Sequence, residues 1–136
     1  MIVARPRSAD GLGYATAVCT AGESVGDLVY VSGAKIGADY QVRKADVTDV
    51  AKMPAVAVII QKISATRAVL QFQGETSLYT GLTPGHVYWV SDSGVPTSAP
   101  PTVTSGQRKY LQIVGVATDS ARIRLQFEKD LKTRVG

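Results

Sequence analysis

The sequence predicts an all-β fold: an antiparallel β-sandwich or a small β-barrel, built from two related units and led by an extended N-terminal arm. Three observations carry this. First, the chain repeats itself. Val25-Gly26-Asp27-Leu28-Val29-Tyr30-Val31-Ser32 returns as Pro84-Gly85-His86-Val87-Tyr88-Trp89-Val90-Ser91. Ala55-Val56-Ala57-Val58 returns as Ile113-Val114-Gly115-Val116, and Arg67-Ala68-Val69-Leu70-Gln71-Phe72 as Arg122-Ile123-Arg124-Leu125-Gln126-Phe127. The order is kept and the offset shrinks slowly, as expected of two units separated by small deletions. Second, the apolar residues fall in short β-branched and aromatic runs bounded by turn residues. Third, no alternation of strand and helix patterns supports a parallel sheet.

Residues 1–24 form the predicted arm. They hold Pro6, Gly11, Gly13 and Gly22 among small polar residues, and only Tyr14-Ala15-Thr16-Ala17-Val18 reads as a strand. Residues 25–136 form the predicted β domain, with units at about 25–74 and 81–128 and a tail at 129–136. Leu28-Val29-Tyr30-Val31 opens the first unit as a strand, and Tyr40-Gln41-Val42-Arg43-Lys44-Ala45 alternates as the next. Val47, Val50 and Ala51 lie at helical spacing, so one short helical turn capped by Asp46, or a loop, is expected before Pro54. The continuous apolar run from Ala55 to Ile60 predicts a strand buried on both faces, or a central one. Arg67 to Gln73 alternates, with Ala68, Leu70 and Phe72 on one face.

The second unit opens on a turn with a mechanism. Pro84 fixes φ at the second turn position and Gly85 supplies a positive φ at the third. Val87-Tyr88-Trp89-Val90 is the following strand, and Ser91-Asp92-Ser93-Gly94 a hairpin turn. Residues 95–105 carry Pro96, Pro100 and Pro101, which deny ladder donors and predict a long exposed loop. Tyr110 to Ala117 and Arg122 to Phe127 are strands, and the polar tail from Glu128 is expected to fray or to meet a partner. The expected inward set is Leu28, Tyr30, Val58, Leu70, Phe72, Val87, Trp89, Val114, Val116, Ile123, Leu125 and Phe127.

With 136 residues the chain is one domain, and domains of this size hide roughly two thirds of their unfolded surface. Apolar residues make up 45% and charged residues 19%, which excludes a disordered chain. The net charge of +4 comes from scattered basic pairs, with Lys129, Lys132 and Arg134 in the tail. No pair stands in a row of aromatics, so nucleic acid is not the expected partner. No segment has signal-peptide or membrane-spanning character, so a protein made in the cytoplasm and free of membrane is expected.

Residues for chemistry are few. His86 is the single histidine and Cys19 the single cysteine, too few for a structural zinc site. His86 occupies the repeat position of Asp27 and reads as a polar turn residue. Turn aspartates such as Asp92 and Asp119 have a local explanation, and no carboxylate pair has acid–base spacing. The expectation is a non-enzymatic protein with no catalytic residue, metal or cofactor. Tyr30, Tyr88 and Trp89 are expected to pack within the sheets.

The run from Gly81-Leu82-Thr83-Pro84-Gly85-His86-Val87-Tyr88-Trp89-Val90, through the Pro/Thr loop, to Gln112-Ile113-Val114-Gly115-Val116-Ala117 resembles small virion proteins of tailed bacteriophages. So does Gly26-Asp27-Leu28-Val29-Tyr30-Val31 with its following strands. The likeness spans roughly residues 25–127, and such segments look like those in capsid cement or decoration proteins and in some head or tail fibre modules. The resemblance implies a β-rich block on the outside of a phage head, bound to the major capsid protein and to neighbouring copies of itself, holding capsid subunits together. A tail-associated fibre or adhesin-like module, with residues 95–106 as its recognition loop, is the alternative. In the decoration reading Arg5, Arg7, Lys129, Lys132 and Arg134 are the expected partner contacts.

Overall fold

A computed structural model describes residues 13–136. The first five strands are β1 (Tyr14–Val18), β2 (Leu28–Ile36), β3 (Asp39–Lys44), β4 (Ala57–Ser64) and β5 (Arg67–Gln71). They close into a barrel in the order β1-β3-β2-β4-β5. All neighbours are antiparallel except β1 and β3, whose parallel pairing of Ala17 with Tyr40 and Val18 with Gln41 closes the ring. Asp39 fastens this closure: it accepts the Thr16 hydroxyl of β1 and lies 3.1 Å from the Arg67 guanidinium of β5.

The second unit contains β6 (Gly74–Thr76), β7 (Val87–Val90), β8 (Pro96–Thr97), β10 (Ile113–Asp119) and β11 (Arg122–Leu125). Their sheet order is β6-β11-β10-β7-β8. Written from its first strand, the barrel runs β1-β5-β4-β2-β3, the same path. Both halves of each repeated segment therefore occupy equivalent topological positions. The backbone bonds repeat too. Gly26 donates to Ile59 and Ile59 to Asp27, each at 2.8–3.0 Å; Gly85 donates to Ala117 and Ala117 to His86 at the same distances. Gly26 and Gly85 sit at φ +94° and +83°, a conformation that a side chain would resist. In the repeat Val116 would face Gln126, as Val58 faces Gln71; it faces Arg124 instead. A two-residue slip keeps every side chain on its own face.

The second sheet does not close. β8 is two residues long and begins with Pro96, which has no N–H for a further ladder. A separate ribbon pairs β9 (Arg108–Leu111) with β12 (Lys132–Val135).

Two apolar clusters share one wall. Ala17, Val29, Val42, Ala57, Ile59, Ala68 and Leu70 fill the barrel, together with Cys19. Leu28, Val58, Tyr88, Val90, Val114, Ile123 and Leu125 form the core between barrel and second sheet. Alternation along β2 and β4 sends neighbouring residues to different cores, so Ala57, Val58 and Ile59 are all fully buried. The apolar run of β4 is thus a strand buried on both faces, as its sequence predicts.

Several expectations are corrected. Along β7 the buried residues are Tyr88 and Val90, while Val87 is exposed and Trp89 half-buried. Four successive large apolar residues cannot announce their own register. Val116 likewise points out, opposite Val87. Tyr30, Phe72 and Phe127 are half-buried, so Tyr30 and its repeat partner Trp89 do agree. Residues 95–105 are not a free loop: they contain β8, Pro101 is buried, and its carbonyl accepts from Arg134 at 2.9 Å. The tail is ordered into β12. Of the arm, β1 is built into the barrel; residues 1–12 lie outside the described residues. The helical turn is a 3-10 turn at Val50–Lys52, capped by Asp49 and not Asp46.

Tyr110 to Ala117 is interrupted at Gln112. Its side chain is fully buried and makes three bonds: Oε1 accepts the Ala55 N–H at 2.8 Å, and Nε2 donates to the Ala55 and Glu128 carbonyls at 2.7 and 2.8 Å. Gln112→Leu orphans both backbone groups of Ala55 and should cost about 2–6 kcal/mol in urea unfolding, since each buried unpaired group costs about 1–3 kcal/mol. The β7 register gives a second test. Val90→Ala should cost about 2 kcal/mol and Val87→Ala well under about 1 kcal/mol, at roughly 0.8 kcal/mol per buried methylene plus a cavity term. The reverse order would restore the face expected from the sequence.

Candidate functional site

An open, predominantly polar cleft of about 390 Å³ lies between the barrel and the Ser91–Gly94 turn of the second unit. It is lined by Glu23, Arg43, Lys44, Asp46, Lys52 and Asp92, with Tyr30 and Ser93 beside them. The turn is docked on the barrel by the Leu28 N–H, which donates to the Gly94 carbonyl at 2.8 Å. Each carboxylate has an internal partner. Glu23 lies 3.4 Å from Arg43, Asp27 3.5 Å from Lys44, and Asp92 2.9 Å from Lys109. Asp46 accepts the N–H and hydroxyl of Thr48 at 2.9 and 2.6 Å.

Glu23 is the most buried of these acids. Burial pushes its carboxyl up, but the Thr20 hydroxyl and N–H, each at 2.7 Å, and the Arg43 guanidinium outweigh that and hold it below the ordinary glutamate value. Asp46 is held low by its Thr48 bonds, against a smaller opposing effect of burial. Carboxylates of this kind stay ionised and do not serve as proton donors near neutral pH. Close by, the Lys62 ammonium donates to three carbonyls, Thr20 and Glu23 at 2.9 Å and Ala65 at 3.1 Å, and so pins the 20–24 turn to the β4–β5 hairpin. Tyr79 ties the linker between the units to the adjoining turn at residues 25–26 through its hydroxyl, which donates to the Gly26 carbonyl at 2.6 Å. Burial first, then the Asp27 charge, pushes that phenol well up.

His86 is exposed at its turn and lies outside this cleft. Cys19 is buried in the barrel. Among the described residues no three His, Cys, Asp or Glu side chains group as a metal site. Arg5 and Arg7 lie outside the described residues. A truncation that tests them has to stop before Gly13, because β1 is a barrel stave. Lys129 borders a second groove of about 450 Å³ between the units, with Val56, Phe72, Leu125 and Phe127. Lys132 is exposed on β12, and Arg134 is half-buried against Pro101. Of the three that are described, Lys129 belongs to a groove wall, and Lys132 and Arg134 to a ribbon.

Sequence reasoning missed Glu23, Lys62 and Gln112. Glu23 carried a signal in Thr20-Ala21-Gly22-Glu23, the spacing at which a hydroxyl residue and a glutamate satisfy each other's backbone. Compared with family models, curated proteins and solved structures, the chain finds no match in any of the three.

The Glu23 geometry sets a pH dependence. A carboxyl held low in the folded state contributes stability that is present above its unfolded value and is lost as the pH falls through the folded one. Thermal melts taken from pH 7 downward should therefore lose stability below the ordinary carboxylate range. Glu23→Gln should flatten that part of the profile; an unchanged slope would show that Glu23 does not contribute to it.

Proposed function

We propose that this chain is a non-enzymatic decoration protein of a tailed-phage head, bound to the outer surface of the capsid and stabilising contacts between major capsid subunits. The observation that carries the reading is the repeated turn and aromatic strand, continued in the second unit by the Pro/Thr segment and the Val-Gly-Val-Ala strand, the grammar that resembles phage cement proteins. Two features support it. The charged cleft beside the Ser91–Gly94 turn spends its carboxylates on internal partners, which suits a structural role. The two units share a core and a wall, which makes a stiff body able to bridge neighbouring subunits. Binding works through many weak contacts that the lattice presents together. The virion surface is then its location, and its partners are the major capsid protein and neighbouring copies, without nucleic acid, membrane or cofactor.

A ligand that binds only the intact shell stabilises it by mass action. Particles carrying this protein should release DNA at a higher temperature than particles lacking it. Identical release curves, with a few copies found at the tail and none on the head, would discard decoration in favour of the fibre or adhesin alternative.

A further inference from the structure

In the first unit Leu28 and Val58 are cross-strand partners, and both are buried in the core that joins the units. The repeat carries Leu28 to Val87 and Val58 to Val116, and these two are also cross-strand partners. In the second unit the pair is exposed, each residue at 37%. The side of the module that packs on a neighbouring sheet in the first copy therefore faces outward in the second.

The pair belongs to a wider surface. Glu75, Arg124, Val116 and Val87 lie on one rung across β6, β11, β10 and β7, and all four are exposed. The next residue on this face of β7 is the half-buried Trp89, opposite Ile113. The register shift between Ile113 and Gly115 keeps Ile113 and Val116 on one side of the sheet. An apolar centre with tryptophan and arginine beside it has the composition of a binding hot spot.

We propose that the outer face of the second sheet, centred on Val87 and Val116, is the docking surface for a protein partner that offers an apolar centre and a carboxylate to Arg124. The assignment rests on the decoration reading, in which that partner is a capsid subunit. A second copy of this chain is the poorer occupant. Stacking the valines of two copies either sets Arg124 against its twin or leaves it beyond the partner's valine pair, without a carboxylate.

The test uses purified heads that lack the protein, the full chain, and the variants V87S/V116S, R124E and, as a control on the distant β2–β3 hairpin, I36S. Thermal unfolding verifies that each variant is folded. Wild type and I36S should bind heads alike. V87S/V116S should bind at least tenfold more weakly, and R124E should bind more weakly with a reduced dependence on salt. If the double variant does not fold, R124E decides, since its exposed side chain leaves the core intact. Wild-type affinity in V87S/V116S and R124E would overturn the surface assignment and leave decoration standing. Failure of the wild-type chain to bind heads at all would overturn both.

Discussion

Everything in this fold depends on one seam, the pairing of β2 with β4. Leu28 lies opposite Val58 and Val29 opposite Ala57. Because successive side chains leave a strand on opposite sides, the Val29–Ala57 pair fills the barrel and the Leu28–Val58 pair fills the core shared with the second sheet. The hydrophobic term acts twice on the same few residues of backbone. The barrel's outer wall is the floor of the second unit, and neither core would be complete without it.

A wall with two apolar faces leaves its ends with a problem. Backbone polar groups there need partners, and around the buried Ala55 little water reaches them. Side chains solve it. Gln112 reproduces a strand-like pair of bonds with Ala55 where β9 gives way to β10. Lys62 gathers three carbonyls at the opposite end of β4. These polar groups sit at the margins of the apolar seam, where an unmade bond is most expensive. The ion pairs along the cleft continue the same work at the surface, with smaller individual effects because water screens them.

The fold class was legible because β grammar is local. Turn glycines, alternating runs and the internal repeat placed the paired strands of both units, and β4 was recognisable from its unbroken apolar run. What escaped was decided at longer range. The face of β7 depended on which core it would meet, and Val87-Tyr88-Trp89-Val90 is apolar on both sides. The tail became β12 only because β9 offered an edge, a pairing between segments more than twenty residues apart in the chain. Pro96 was correctly read as hostile to a sheet interior, but a sheet margin tolerates it. For the site, single residue types said little. Glu23 and Gln112 gained their roles from partners that only the folded chain brings near.

The unclosed second sheet bears on how the two copies can change over time. In the first copy the start of β4 has no silent side: a substitution at Ala57, Val58 or Ile59 disturbs one core or the other. Its counterpart β10 keeps an outward row, where Val116 and Thr118 can vary without emptying a core. Identical ancestry would thus leave unequal freedom. The closed copy is held to its sequence by packing, while the open copy carries the positions on which new surface chemistry can be tried.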